Sequence, residues 1–539
     1  MASQKRVLML QEALVPQPVD YRDVIRSYTN PAEVPELVIP VIADVVEKLQ
    51  ESRFVPVTLP LRPLEKIDLG DLAAENEIKG LRSYFVATAQ YNEAKRGHAR
   101  LVVGRKGTGK TAIFYGIRNA YKSSHSHLVL DLKPEGHQFT KLRESINDLS
   151  IGLQEHVLTA FWNYLLLMEI AHKIVHADKG FSYRDHKARE AYLAVEAAYG
   201  PETVTEQADF SERLLKLVED VVSRKANAIN ILTTAEVTNL IYSKDIRALN
   251  DALGQYLAKK DGVWLLFDNL DKGWPVFGAK TEDILILRSL LEASRKLERQ
   301  LESRDVEFHA VVFIRSEIYE RLVRETPDRG KDSAVVLDWN DAEVFREIVR
   351  RRIALNTEME GMKFEELWPI FFESHIRGEE SFSYIIGHTL MRPRDVLRFL
   401  RQCIDVAINR GHEVITEGDV LQAERTFSED AFQELVLELG DIDPLTSNIP
   451  FAFIGSQAFL SKDKLHSILA SISVPADQMD IAEDILLWFG FLGIADPASD
   501  DRFAYQFQHN LRRMRSGLPS NFGFVIHPAF RRALGCPEQ

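Results

Sequence analysis

The octapeptide Gly104-Arg105-Lys106-Gly107-Thr108-Gly109-Lys110-Thr111 has the residue types and spacing to cradle a polyphosphate. Glycine lets the backbone bend until successive N–H groups face phosphate oxygens. Lys110 supplies a point charge for the outer phosphates, and Thr111 offers a hydroxyl to Mg²⁺. The helix that opens around Ala112 adds its positive N-terminal end. A chance match is the alternative. Against it stand the apolar run Ala99-Arg100-Leu101-Val102-Val103 before the loop and the helical pattern to Tyr121 behind it.

A second acidic element follows the apolar run Val263–Phe267: Asp268-Asn269-Leu270-Asp271. A carboxylate at the carboxyl end of a buried parallel strand sits in the crevice where α/β sheets take ligands. Asp268 is placed there to hold Mg²⁺, and Asp271 to orient or deprotonate an attacking water. Asn269 cannot act as a base. Capping a helix is the other role open to these aspartates. No Asn-Lys-x-Asp string reads guanine, which favours ATP. No Leu-Ser-Gly-Gly-Gln string marks a transporter-type ATPase. His172 and His176 lie four apart on a helical stretch, but the glutamate of a His-Glu-x-x-His zinc motif is absent.

These residues need a scaffold. Periodicity predicts a helix over 76–96, strands at 99–103, 127–132, 263–267 and 308–314, and a helix at 281–301. A long helical insertion occupies about 140–258, and helices dominate 340–435. The sequence divides into a lead-in at 1–66 with one helix near Val41–Glu51 and an extended stretch at Phe54–Pro63, a core at 67–339, a helical lid at 340–440 and a final domain at 441–539. In the last, helical patterns at 462–472 and 478–490 precede strand-like runs Phe503–Gln508 and Phe522–Ile526, an order similar to a winged helix. Arg512, Arg513 and Arg515 fall on its expected tip, with Arg531 and Arg532 behind. Nucleic acid contact through 503–532 is one use for them, packing on the core the other.

At 539 residues the chain exceeds one ordinary core. With 66 basic against 80 acidic side chains its net charge is −14, which argues against coating nucleic acid over the whole surface. Two cysteines, Cys403 and Cys536, make no disulfide framework. The longest apolar run, Val157–Met168, is short for a membrane span. A cytoplasmic protein is expected.

The order of apolar strand, Asp-x-x-Asp, and a strand ending in Arg315 resembles the STAND and AAA+ branch of P-loop ATPases, in particular bacterial proteins with an Asp-Asn-Leu-Asp-Lys-Gly-Trp segment. The blocks Leu69–Glu77 and Asp131–His137 also resemble that group, over roughly residues 68–430. The resemblance implies an α/β P-loop NTPase core with a parallel sheet, a helical lid and a winged-helix-like end. It implies that Arg315 senses the γ-phosphate, with Ser316 as the alternative. Pro393 then lies near adenine and Arg394 approaches phosphate. Arg321, Arg324 or Arg329 could act in trans. It further implies ATP and Mg²⁺ as cofactors, a homo-oligomer or a partner effector, and a setting in bacterial stress or antiphage defence. The usual glutamate after the first aspartate is missing, so slow hydrolysis or none stays open.

Overall fold

The computed structural model describes residues 9–12, 25–51, 63–72, 74–77, 80–122, 124–134, 151–183, 186–200, 246–270, 281–325, 332–440, 446–496, 500–519 and 522–537. They fall in two compact units, Met1–Arg62 and Pro63–Gln539. In the first, strands Met9–Glu12 and Ile25–Tyr28 pair in parallel, and a helix runs Val34–Glu51. That helix starts earlier than its sequence pattern, because Pro40 is accommodated within it. The stretch expected to be extended, 54–62, lies outside the described residues.

The second unit is built on a five-stranded parallel sheet: β1 Leu101–Val103, β2 His127–Leu132, β3 Gly262–Phe267, β4 Phe308–Ile314 and β5 Ala334–Val336. Spatial order is β2-β3-β4-β1-β5. Every residue of β3 is buried, as expected where helices cover both faces of a parallel strand. On one face, helix α1 (Lys110–Lys122) packs Phe114 and Ile117 against Val102, Leu266 and Phe313. On the other, α2 (Ile151–Ala177) and α5 (Thr281–Glu302) bury Trp162, Leu166 and Leu290 against Leu265 and Phe267. Between them in the chain come α3 (His186–Tyr199) and α4 (Ile246–Leu257), which complete the helical insertion among the described residues.

The strand order places β4 between the phosphate-loop strand and the strand ending at Asp268. Whatever leaves the end of β4 must therefore stand over the crevice between them. That residue is Arg315, followed directly by α6 (Ser316–Glu325).

Beyond the sheet, α7 (Ala342–Thr357), α8 (Phe364–Phe371), α9 (Ser381–Gly387), α10 (Pro393–Arg410) and α11 (Glu417–Gly440) form a helical layer. The last segment has strands β6 (Phe459–Leu460), β7 (Leu492–Ala495) and β8 (Gly523–Ile526) in an antiparallel sheet of order β6-β8-β7. Helices α12 (Lys462–Ser471) and α13 (Met479–Trp488) lie between β6 and β7 in sequence. One hydrophobic core runs through both segments, joining Phe399 and Phe427 to Phe453, Phe491 and Phe530.

Three expectations are corrected. The single helix over 76–96 is two short ones, Leu81–Tyr84 and Ala89–Lys95, because Phe85 turns extended and Thr88 Oγ1 caps the second by accepting the Tyr91 N–H at 3.2 Å. Phe503–Gln508 is no strand: its alternating pattern is overridden by a 3-10 turn at Ala504–Phe507. There Gln506 Oε1 accepts the Phe503 N–H at 2.8 Å, and Gln508 is left-handed at φ 53. Arg512 and Arg513 then sit on a helical turn, Leu511–Met514, not on a strand tip. The edge strand β5 had no counterpart in the sequence reading. None of the described helices is long and apolar enough to cross a membrane.

Candidate functional site

The phosphate loop fills the connection between β1 and α1. Gly107 and Gly109 hold φ of 82 and 89, a region that side chains rarely tolerate. Gly104 is needed for a different reason: a Cβ there would lie 2.4 Å from Thr108 Oγ1 and 3.1 Å from Leu337 Cβ. Lys110 Nζ donates to the carbonyls of Gly104 at 2.7 Å and Arg105 at 3.1 Å, so the lysine folds back over its own loop. Thr111 Oγ1 donates to Asp268 Oδ2 at 3.4 Å. Asp268 is only 2% exposed, and Lys133 Nζ lies 3.5 Å from the same oxygen.

A cavity of about 330 Å³ lies over this end of the sheet. Lys106, Gly107, Gly109, Lys110, Thr111 and Ala112 line it from the loop, Asp268 and Arg315 from the strand ends, and Pro393 and Arg394 from the start of α10. Elements spread in sequence from Lys106 to Arg394 thus converge. The N–H of Arg394 approaches the Gly107 carbonyl at 3.5 Å, which sets the lid directly on the loop. Asp71, Glu75 and Glu77 close the cavity's other side, and Arg352 pairs with Glu77 at 3.4 Å while lying over the Tyr84 ring.

Adjoining it is a mainly apolar hollow of about 90 Å³, walled by Tyr84, Phe85, Ile113, Trp339 and Pro393. Trp339 is fixed by its indole N–H, which donates to the Thr108 carbonyl at 2.9 Å. The two hollows share Gly109, Ala112, Arg352 and Pro393 in their walls, so a polar cavity borders an apolar one.

Other expected residues are placed elsewhere. The Arg105 side chain turns away from the cavity and is 3% exposed. It donates to the Phe489 carbonyl at 3.2 Å and to Glu438 at 3.4 Å. Gly104 and Thr108 shape the loop without lining the cavity. Asp271 and Arg329 lie outside the described residues, as does Glu135–His137 of the block after β2. Arg321 and Arg324 sit on α6 in ion pairs with Glu325 and Glu320. The rings of His172 and His176 lie 4.4 Å apart at a tilt of 47° beside Tyr199, and among the described residues they form no ligand set with a third group.

The oxygens of Thr111 and Asp268 fit a hard cation that keeps most of its water and shares phosphate oxygens, as Mg²⁺ does. Residues that sequence reasoning passed over include Lys133, Tyr84, Phe85, Trp339, Arg352 and Glu434. Only Lys133 had a local signal, as the cation following a strand end.

Residues 343–436, from α7 into α11, match the family model of the FunZ-associated C-terminal helical domain. Over 483 residues the chain is 25% identical to the putative transposon gamma-delta 80.3 kDa protein of Escherichia coli K12, covering 86% of this chain and 66% of that protein. It is 26% identical over 145 residues to the allergen Alt a 2 of Alternaria alternata, covering 26% of this chain and 75% of that one. Among solved structures, Cdc6p of Pyrobaculum aerophilum aligns over 87% of the chain and 97% of its own at 13% identity, with a TM-score of 0.30. The ORC2 protein of Aeropyrum pernix aligns over 82% and 95% at 13% identity, with a TM-score of 0.28. Likeness at that level carries no inference about this chain.

Proposed function

We propose that this chain is an ATP-binding and ATP-hydrolysing switch of the AAA+ or STAND kind, whose helical lid responds to the nucleotide. One observation carries the proposal: Lys110 and Thr111 at the start of α1, with Asp268 and Arg315 just past β3 and β4, share a cavity with Pro393 and Arg394 from the lid. The triphosphate lies along the loop, and the base enters the slot of Tyr84, Phe85 and Trp339. Lys110 exchanges its two carbonyl partners for phosphate oxygens. Arg315 and Arg394 both line the cavity and would be drawn toward the outer phosphate, so its presence or loss would alter how lid and sheet are held together. Thr111 and Asp268 would hold Mg²⁺, which would supply neutralisation of phosphate charge. Asp271 is the base that activates water. The output passes to a partner effector or to further copies of the chain, in a bacterial defence or stress setting. The name of the Escherichia coli relative, which refers to a transposon, suits a mobile-element context.

The deciding experiment is steady-state ATP turnover with parallel ATP binding, for wild type, Lys110→Ala, Asp268→Asn and Asp271→Ala. The switch requires that Lys110→Ala lose binding, and that the aspartate variants bind ATP but lose turnover. Binding without turnover in wild type would make the chain a nucleotide-held scaffold instead.

A second reading rests on a different observation. Arg377, Arg531 and Arg532 surround a cavity of about 270 Å³ beside the half-exposed Phe459. Guanidinium groups next to an exposed ring suit a nucleic acid strand. The antiparallel sheet with α12 and α13 would then be a winged-helix-like reader. DNA-stimulated turnover would favour it.

A further inference from the structure

Helices α12 and α13 bring His466 together with Asp480 and Glu483, one ligand atom of each lying within 4.8 Å of the others. Asp480 and Glu483 are three residues apart and so share one helix face. Glu483 is 3% exposed, and its two oxygens are treated differently. Oε1 accepts from Arg515 at 2.8 Å. Oε2 receives no hydrogen bond, nor does Nε2 of His466 make one, although both atoms are shut off from solvent.

These two atoms face each other at 3.6 Å. That is too long for a good N–H···O bond. It is close to the edge of a coordination tetrahedron, which spans roughly 3.3 Å when each ligand lies about 2.0 Å from the ion. Lys462 Nζ lies 4.0 Å from Oε2, and its side chain is 50% exposed and can turn to water. Arg515 holds the other oxygen and also pairs with Asp484 at 2.6 Å, an arrangement that orients a carboxylate from outside a metal's own ligands.

We propose that His466, Asp480 and Glu483 bind one divalent transition-metal ion of the Zn²⁺ class, as a clasp between α12 and α13. An imidazole with two carboxylates suits Zn²⁺, Co²⁺ or Mn²⁺ better than Mg²⁺, which prefers an all-oxygen shell. The site is distinct from the Thr111–Asp268 pair. It lies on the helix whose following residue, Phe489, holds Arg105 of the phosphate loop.

The test uses the full chain, stripped with chelator and free of nucleotide. It is titrated with Zn²⁺ by calorimetry and with Co²⁺ by visible absorption. One equivalent is expected, with mixed nitrogen and oxygen coordination and a higher melting temperature. His466→Ala and Asp480→Asn should each weaken binding by roughly tenfold or more. Both lie nearer the surface than Glu483, so circular dichroism can verify their fold first. Thr111→Ala should bind as wild type does. No binding by wild type, or unchanged binding in folded His466→Ala, overturns the site. Loss of binding in Thr111→Ala overturns it too, by assigning the metal to the phosphate cavity.

Discussion

Lys106 of the phosphate loop and Arg394 of the lid share one carboxylate, Glu434 on α11, at 3.3 and 3.7 Å. Arg398 joins them at 2.9 Å. Burial pushes the Glu434 carboxyl upward, but Arg398, Lys106 and Arg392 outweigh it and hold it down at about 2. Glu434 is thus ionised at any ordinary pH and occupies the position of an anion beside the cavity. Under the proposed function, a nucleotide phosphate would compete with it for Arg394.

Neutralising that carboxylate should therefore tighten nucleotide binding. Glu434→Gln is expected to lower the dissociation constant for ATP about fivefold, equivalent to about 1 kcal/mol. Titration with a fluorescent ATP analogue measures this. Unchanged or weaker binding would show that Glu434 positions Arg394 for phosphate and does not compete with it.

Arg105 separates two roles within one loop. Burial and the repulsion of Arg392 bring its pKa down to about 10, so it stays charged against Glu438. Arg392 still pairs with Glu438 at 3.2 Å, so removing Arg105 costs its own charged hydrogen bonds to Glu438 and the Phe489 carbonyl, roughly 1.5–3 kcal/mol each. Arg105→Met is expected to cost about 3 kcal/mol in urea unfolding and to expose residues 446–537 to protease. ATP affinity should stay within about threefold, because the side chain points away from the cavity. A large loss of affinity with unchanged stability would place Arg105 on phosphate after all.

Much of the sheet could be read from the residues, since β3 and β4 carry short apolar runs, Val263–Phe267 and Ala310–Ile314, of the kind buried strands require. The phosphate loop was equally plain, because its glycines answer a local need. What stayed hidden depended on tertiary neighbours. β5 is three half-buried residues at a sheet edge, with no run long enough to declare it. Trp339, Phe85 and Glu434 are unremarkable locally, and acquire meaning only when α10 and α11 fold back onto the loop. The alternation of Phe503, Tyr505 and Phe507 suggested a strand, until a side-chain cap from Gln506 won.

Phe85 and Trp339 give the slot a direct test. Phe85 also stacks edge-on against Tyr91 at 4.7 Å, so its ring is held in place before any ligand arrives. Phe85→Ala is expected to raise the dissociation constant for ATP by roughly tenfold, within the range for one lost base–aromatic contact. Binding of inorganic triphosphate should be unaffected. ATP should also alter Trp339 fluorescence, a signal that triphosphate alone does not produce. Equal losses for both ligands would move the base elsewhere.

Asp338 follows β5 beside the loop, and its Oδ2 is buried without a hydrogen-bond partner. Burial raises its pKa to about 6 from 3.8, and the attraction of Arg105 offsets this only in part. A carboxyl whose folded pKa is raised binds more protons folded than unfolded between those two values. Its contribution to stability therefore falls as pH rises from about 4 to 6, and stays unfavourable above that window. Asp338→Asn should remove this dependence. It is expected to raise the melting temperature by a few degrees at pH 7.5 and by less at pH 5, in roughly the proportion that protonation already relieves wild type. Equal shifts at both pH values would mean that packing, not charge, governs Asp338. A lower melting temperature at pH 7.5 would mean that its attraction for Arg105 outweighs the cost of burying it.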